Sequence, residues 1–304
     1  MDAKELRYKF KYIVNCNMCG DHVATHKILG KRLNKSQGKN PKKKIGITKT
    51  IARCTKCGLV YSNPQPIPFD IQDHYGLPPE NYWNRDYFII NEDYFKNEIV
   101  LLKKLINFQN GMKSLDIGAG LGKQMIALSN AGFDAYGFEP SKPFFDRALS
   151  QMNISSEKLK LGMIEDVTYP ESHFDFISFG AVLEHLYDPS DSISKAIRWL
   201  KPKGIIHIEI PSSDWLINKI INLYYKLRLT DYVGNISPMH EPFHLHEFSL
   251  DTFKLNSKIH GYDIVFHEYY VCETYMPKAA DFFLKPYMKY TNKGMQLCVW
   301  LQKK

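Results

Sequence analysis

The chain has 304 residues, of which 44% are hydrophobic and 24% are charged, proportions typical of a globular protein. This composition excludes a disordered chain, a collagen-like chain and a disulfide-dense mini-protein, and the length allows one large domain or a domain with a small module. No apolar run is long enough for a transmembrane helix, and the charged N-terminus has no signal-peptide core, so a cytoplasmic location is expected.

The N-terminal part contains two C-x-x-C pairs, each followed by glycine: Cys16 with Cys19, and Cys54 with Cys57. Two thiolates at this spacing can occupy adjacent corners of a tetrahedron about 2.3 Å from a zinc ion. Four thiolates fill the coordination sphere, so the predicted site is structural. A disulfide or free thiols are the alternative, which a cytosolic location disfavours. The sequence therefore predicts a zinc ribbon over residues 1–66, followed by a second domain over 67–304.

Most of the positive charge lies around and between the two cysteine pairs. Residues 22–69 contain eleven Lys and Arg and no acid, whereas the rest of the chain has slightly more acidic than basic residues. The net charge of +8 therefore indicates one basic patch rather than a protein-wide nucleic-acid surface. We interpret the patch as a solvated loop. The alternative is a phosphate-attracting arm for a nucleotide-linked or lipid-phosphate-linked substrate.

After a helix predicted over 91–109, short apolar strands alternate with helical segments. Strands are predicted at 114–117, 135–138, 159–162, 174–179 and 204–210, and helices at 123–131, 142–152 and 189–200. Such alternation forms βαβ units and predicts an α/β fold, a Rossmann-like, mostly parallel sheet with helices on both faces. Segments 264–271 and 294–301 are expected to pair like a hairpin at the sheet edge.

Residues 212–250 interrupt this alternation and are interpreted as a lid or substrate insertion. Within them, residues 213–229 have the pattern of an amphipathic helix with several Lys and Arg among its apolar residues. A lid or packing helix is the simplest interpretation. A dimer contact or a membrane-surface contact is the alternative.

The loop after the first strand of the alternating region contains Gly118, Gly120 and Gly122 and precedes a helix. This G-x-G-x-G spacing matches neither the dinucleotide fingerprint nor the Walker loop. Asp116 would repel a pyrophosphate but would attract a cationic ligand with an α-amino group, such as S-adenosylmethionine. Glu139, at the end of the next strand, can accept hydrogen bonds from both ribose hydroxyls. The sequence thus predicts S-adenosylmethionine as the cofactor.

With these features, the chain resembles class I S-adenosylmethionine-dependent methyltransferases over roughly residues 95–270. The motifs that carry the resemblance are DIGAGLG at 116–122, YGFEP at 136–140, GMIED at 162–166, FDFI at 174–177, VLEHLYDP at 182–189 and LKPKG at 200–204. Many relatives carry Asp where Met163 stands, so adenine is expected to pack on Met163 and to use the Ile164 backbone, with Glu165 as a further contact. The resemblance implies a cofactor site made of Tyr82, Asp116, Gly118, Gly120, Gly122, Glu139, Pro140, Met163, Ile164 and Phe179.

The ribbon and the segment RCTKCGLVYSNPQP at 53–66 resemble the subset of these enzymes often found in sugar and surface-polysaccharide pathways. That subset includes sugar C-methyltransferases, which usually carry a long further C-terminal domain. The chain ends at Lys304 without such a segment, so C-methylation is not the favoured expectation.

Transfer to a hydroxyl needs a general base, most often histidine. His185 follows the strand that ends near residue 179, where ligands of open α/β sheets bind, and Glu184 could orient it. Its alternative role is to cap the following turn. A second candidate set, His240, His244 and His246, lies in a segment that the resemblance places over the substrate. His244 is the first candidate, His185 and His246 follow, and a second zinc site in the set is the alternative.

The resulting hypothesis is methyl transfer to a hydroxyl of a sugar or sugar-nucleotide in surface glycan biosynthesis of the capsule or O-antigen type. The alternatives are an N- or C-methyltransferase acting on a related sugar, and an RNA methyltransferase that binds nucleic acid through the ribbon. The residues after 174–179 differ from the Asn-Pro-Pro-Tyr motif of base-methylating enzymes, so a small-molecule partner without nucleic acid is expected. A module that has lost its cofactor is disfavoured by the intact Asp116, glycine loop and Glu139.

Overall fold

The computed structural model describes residues 8–32, 49–70, 72, 85–236, 244–272, 274 and 276–304. The strands are β1 (Tyr8–Lys11), β2 (Lys27–Arg32), β3 (Lys49–Arg53), β4 (Val60–Ser62), β5 (Gln65–Pro68), β6 (Lys113–Ile117), β7 (Asp134–Glu139), β8 (Leu159–Leu161), β9 (Phe174–Gly180), β10 (Leu200–Pro211), β11 (His246–Glu247), β12 (Tyr262–Tyr270) and β13 (Gln296–Lys303). The helices are α1 (Lys96–Leu105), α2 (Lys123–Asn130), α3 (Lys142–Gln151), α4 (Pro189–Trp199), α5 (Leu216–Leu227), α6 (Leu250–His260) and α7 (Lys278–Tyr290), with 3₁₀ turns at Val23–Thr25, Arg85–Phe88 and Leu183–His185.

The central sheet has seven strands in the order β12-β13-β10-β9-β6-β7-β8. Strands β6 to β10 pair in parallel, as βαβ units require, and β13 pairs antiparallel with both β10 and β12. The expected Rossmann-like fold and its antiparallel edge pair are confirmed. The chain proceeds from β6 towards β8 on one side and from β9 towards β10 on the other. The carboxyl ends of β6 and β9 therefore form the crevice where such sheets bind ligands.

Two helices, α6 and α7, were not predicted from the sequence. The buried residues of α6 are Thr252, Phe253 and Asn256, so its inner face is largely polar and lacks an apolar period. A capping box at Ser249 and the left-handed Gly261 mark its two ends. In α7 the large apolar residues face outward and Pro286 lies inside the helix, which also hides the usual pattern.

The N-terminal region forms a four-stranded sheet in the order β11-β4-β3-β2, and β1 pairs with β5. Strand β11 belongs to the predicted insertion, so the ribbon and the acceptor-side segment share one sheet. The predicted domain boundary between residues 66 and 67 falls within β5.

Side chains of α6 and of its N-cap Ser249 also donate hydrogen bonds to the backbone of the two C-x-x-C segments. The hydroxyls of Ser249 and Thr252 both donate to the carbonyl of Cys57 at 2.9 Å, and the Asn256 amide donates to the carbonyl of Met18 at 2.9 Å. One apolar core includes Met18, Tyr61 and Leu59 of the ribbon together with Phe248, Phe253 and the inner residues of the large sheet. The ribbon therefore packs as part of the main body. None of the helices within the described ranges has the length and apolar character that crossing a bilayer requires.

Candidate functional site

The four cysteines of the two C-x-x-C pairs meet in the folded chain. The Sγ atoms of Cys16 and Cys57 lie 3.5 Å apart, those of Cys19 and Cys54 lie 3.6 Å apart, and all four lie within 4.8 Å of one another. Zinc–thiolate bonds of about 2.3 Å in a tetrahedron place sulfur atoms about 3.8 Å apart. All six cysteines of the chain are free thiols. The donor set and its spacing therefore fit a zinc ion.

A cavity of about 480 Å³ lies at the carboxyl ends of β6 and β9. Its walls include the glycine loop, Asp116, Lys123 and Gln124, with Gly180 and Ala181 at the end of β9. The three loop glycines have φ angles of 56° to 74°, a left-handed region that other residues rarely adopt. A side chain at Gly120 would meet no atom of the described residues within 4 Å, so the backbone there faces open space among them. The loop is thus a cradle in which a ligand can approach the main chain closely.

Glu139 ends β7 and is held by the glycine loop itself. Its Oε2 accepts a hydrogen bond from the Gly120 amide at 2.7 Å, and its Oε1 accepts one from the Ser141 amide at 2.8 Å. Burial raises the pKa of Glu139 to about 7, against the opposing effect of these amides. Each carboxylate oxygen keeps a second lone pair, which suits it to accept from two vicinal hydroxyls.

Asp116 on β6 is buried and accepts a hydrogen bond from the Ser178 hydroxyl at 2.9 Å. Burial raises its pKa to about 7, and the nearby Glu139 charge adds to this rise. Glu98 and Glu209 also line the cavity, whereas Lys123 is the one basic residue on its wall within the described ranges. A concave site with three carboxyl groups and one ammonium favours a cationic ligand. The sulfonium and α-amino groups of S-adenosylmethionine match this chemistry.

Gln124 is a further candidate that sequence reasoning missed. Its side chain is buried on the cavity wall, and its Nε2 has no hydrogen-bond partner in the part of the chain that the structure describes. A buried amide N–H group without an acceptor destabilises the folded protein unless a ligand accepts its hydrogen bond. Glu209 was missed as well, although a charged residue within the apolar run of β10 was a usable signal.

Of the remaining predicted cofactor residues, some lie near Glu139, one lies in the apolar core and one lies outside the described residues. Met163 and Ile164 come after Gly162, which follows β8 and whose amide donates to the Glu139 carbonyl at 3.1 Å, so they lie near the end of β7. Pro140 is half-buried next to Glu139 and its carbonyl accepts from Gln72. Phe179 is fully buried in the apolar core and is not part of the cavity wall. Tyr82 lies outside the described residues, and the roles of all these residues stay predictions.

The two rival candidates for the base lie together. The rings of His185 and His244 are 4.8 Å apart between centroids and stand edge to face, and His244 Nε2 lies 4.0 Å from Glu184 Oε1. The turn at Leu183–His185 presents Glu184 and His185, and the Leu245 amide donates to the Glu184 carbonyl at 2.7 Å. Glu184 therefore faces His244 as well as neighbouring His185. A carboxyl group between two imidazoles can exchange a proton with either or ligate a cation.

Glu184 is fully buried, and burial raises its pKa to about 8, with the Glu209 charge as a smaller cause. Its Oε2 makes no hydrogen bond within the described ranges. Burial thus favours the protonated form of this carboxyl, whereas a positive charge on His244 would favour its ionised form.

His246 is placed in the contact between the ribbon and β11 rather than at the open site. It is buried, its Nε2 lies 3.1 Å from Gln65 Nε2, and burial lowers its pKa to about 3. Lys49 of β3 donates to the His244 carbonyl at 3.2 Å from the same side. His240 and Glu241 lie outside the described residues, so the three-histidine zinc hypothesis stays a prediction.

Comparison with known proteins agrees with this geometry. Residues 91–266, more than half of the chain, match the family model described as a methyltransferase domain. A demethylmenaquinone methyltransferase of Geobacillus sp. (strain WCH70) is 27% identical over 128 residues, which are 40% of this chain and 54% of that protein. A ubiquinone biosynthesis O-methyltransferase of Bradyrhizobium diazoefficiens is 26% identical over 121 residues, 36% of this chain and 44% of that protein. The chain thus spans about half the length of these curated relatives.

Among solved structures, a similar fold is found in an S-adenosylmethionine-dependent methyltransferase from Methanosarcina mazei. It is 19% identical, with a TM-score of 0.47, and the match covers 64% of this chain and 94% of the other.

Proposed function

The chain belongs to the methyltransferase-domain family, and we propose that it is an S-adenosylmethionine-dependent methyltransferase whose acceptor is a hydroxyl oxygen of a small molecule. The observation that carries this proposal is the cluster of Glu184, His185 and His244, a short distance along the chain beyond the cavity wall at Ala181. A hydroxyl must lose its proton as it is methylated, and this cluster offers two imidazoles and a carboxyl to receive it.

The cofactor, when bound, supplies an electrophilic methyl group, and the protein supplies alignment and proton transfer. In this proposal Asp116 attracts the α-amino end of the cofactor, Glu139 accepts from the ribose hydroxyls and Gln124 donates to an acceptor atom of the ligand. The acidic wall made by Glu98 and Glu209 favours a positively charged ligand.

His244 is proposed as the base. It is partly exposed, whereas Glu184 is buried 4.0 Å away, so the imidazole is the group that a substrate can reach. Uptake of the substrate proton by His244 creates a cation beside Glu184, and this cation is stabilised whenever the Glu184 carboxyl is in its ionised form. His185 stands against the same ring and is the rival candidate.

For the metal, we propose one structural zinc ion held by Cys16, Cys19, Cys54 and Cys57. The support is the sulfur spacing, together with the tight turns at Gly20 and Gly58, where φ is 73° and 78°. With four thiolates the site has no open position, so the ion would take no part in the chemistry.

For the substrate, the resemblance of the ribbon favours a hydroxyl of a sugar or sugar-nucleotide. A phenolic hydroxyl is the second candidate, because relatives are named as ubiquinone biosynthesis O-methyltransferases. The two differ in acidity and shape: a phenol is planar and partly ionised near pH 10, whereas a sugar hydroxyl needs a stronger base.

The test is cofactor turnover measured with a panel of nucleotide sugars, glycans and dihydroxyphenols, for the parent chain, His244→Ala and His185→Ala. His173→Ala is the matched control, because His173 lies at the amino end of β9, away from the carboxyl ends of the strands where the cavity lies. His244→Ala is expected to lower turnover by about 10²–10⁴, the usual contribution of a general base, with cofactor affinity unchanged. Loss in His185→Ala alone would move the base to His185. If neither variant loses more than a few-fold, the hydroxyl acceptor is wrong and an amine becomes the better candidate.

A further inference from the structure

Helix α7 carries a stripe of exposed aromatic side chains. Phe282 is 75% exposed, Phe283 73%, Tyr287 49% and Tyr290 90%. At about 100° per residue these four positions and Pro286 fall on one side of the helix. Met288 on the opposite side is fully buried and anchors the helix to the protein.

The charges around the stripe are almost all positive. Lys278 and Lys289 are exposed, and helical spacing places them with Lys285 along one border of the stripe. Lys293 places its Nζ 5.5 Å from the centre of the Tyr287 ring. The one acid of the helix, Asp281, lies on the inner side, where it accepts from Thr274 and pairs with Lys285 at 3.7 Å.

Helix α5 also exposes apolar and aromatic side chains beside basic residues. It begins beside the end of α7, where the Leu216 amide donates to the Lys293 carbonyl at 3.2 Å. Its second half exposes Leu223, Tyr224 and Leu227, next to the exposed Lys226 and Arg228.

We propose that the aromatic stripe of α7 binds the surface of an anionic lipid bilayer, with the helix lying in the plane of the headgroups. Phenylalanine and tyrosine with bordering lysines suit this boundary, because the rings enter the apolar edge while the ammonium groups meet lipid phosphates. A second copy of this chain fits less well. A two-fold contact through this stripe would bring the lysine borders of both copies together. The proposal is independent of which acceptor is methylated.

The test uses the full chain with vesicles of phosphatidylcholine alone and of phosphatidylcholine with about a third phosphatidylglycerol, separated by flotation. The parent chain is expected to float with the anionic vesicles, and less so at high salt. The double variant Phe282→Ser/Phe283→Ser should bind at least ten-fold more weakly. Lys278→Gln/Lys289→Gln should bind about thirty-fold more weakly to anionic vesicles, taking about 1 kcal/mol for each lysine.

The matched control is Tyr12→Ser/Phe69→Ser, which removes two exposed aromatic rings from the ribbon side and should bind like the parent. Thermal unfolding and cofactor binding of every variant should stay near the parent values, because the substituted side chains are exposed. The proposal is overturned if the parent chain does not float, or if it floats equally with neutral vesicles. It is also overturned if the Phe282/Phe283 variant floats like the parent, or if sedimentation shows that the stripe instead holds a dimer.

Discussion

The substitution Glu139→Gln tests the cofactor site with the least disturbance to the fold. Glu139→Ala would leave two buried amides, those of Gly120 and Ser141, without their acceptor. At about 1–3 kcal/mol for each orphaned group, that cost approaches the 5–15 kcal/mol that holds a typical domain together. Glutamine keeps the shape and one carbonyl oxygen, so one amide at most loses its partner and the chain should stay folded.

The expected loss in Glu139→Gln is one charged hydrogen bond to the ribose, about 1.5–3 kcal/mol. That corresponds to roughly 10- to 150-fold weaker binding of S-adenosylmethionine and of its demethylated product. Isothermal titration calorimetry at pH 7.5 measures both ligands, and product binding separates the ribose contact from contacts to the methyl group.

The control for Glu139→Gln is Asp134→Asn, at the opposite end of β7, where Asp134 pairs with Lys158 at 2.6 Å on the surface. This variant should bind the cofactor like the parent. An affinity of Glu139→Gln within three-fold of the parent, in a protein that melts normally, would refute the assignment of the ribose to Glu139.

Three further predictions concern pH, the amide donor and the metal. Burial raises the pKa of both Asp116 and Glu139 to about 7. In the proposed site Asp116 must be ionised to attract the α-amino group, and Glu139 must be ionised to accept most strongly from the ribose. For each carboxyl the affinity should therefore be roughly ten-fold lower at pH 6 than at pH 8. For the same reason the ligand-free protein should lose stability as pH rises from about 4 to 7, which thermal unfolding measures; a flat profile would contradict the burial of these groups. Gln124→Leu removes the buried amide donor that has no acceptor among the described residues, and it should weaken cofactor binding about five- to ten-fold in calorimetry. The control variant Gln151→Leu, at the C-terminal end of α3, should bind the cofactor like the parent. Purified protein should contain one zinc per chain by elemental analysis, and chelation should give a single unfolding transition rather than separate loss of the ribbon.

The predicted cofactor-binding residues could be identified from the sequence because their motifs lie close together along the chain. Asp116, the three glycines and Glu139 lie within 24 residues, and strand–loop–helix context is enough to assign them. The side chains that complete the cavity are different. Glu98 reaches the cavity through the packing of α1 on the sheet, and Glu209 reaches it through the pairing of β10 with β9. Composition and periodicity carry no information about those contacts.

The acceptor side was predictable only in part. His185 and His244 were candidates on separate grounds, and the fold turns these alternatives into neighbours. His246, two residues from His244, was a candidate in the same set of histidines. The contact with Gln65 explains why its side chain is instead buried at the ribbon. A strand as short as His246–Glu247 has no sequence pattern of its own, because its stability comes from the β4 partner and not from its own residues.

Through the pairing of β11 with β4, the ribbon also helps to position the acceptor-side residues. The Ser62 amide of β4 donates to the Leu245 carbonyl at 3.0 Å, and the Leu245 amide donates to the Glu184 carbonyl at 2.7 Å. His244 is therefore tied on one side to the ribbon and on the other to the turn that carries Glu184 and His185. The hydrogen bonds described above for Asp116 and Glu139 come from Ser178, Gly120 and Ser141, which lie outside the ribbon. A metal ion that stabilises the ribbon would thus act on the geometry of the acceptor cluster, and the glycine loop would depend on it only through the shared core.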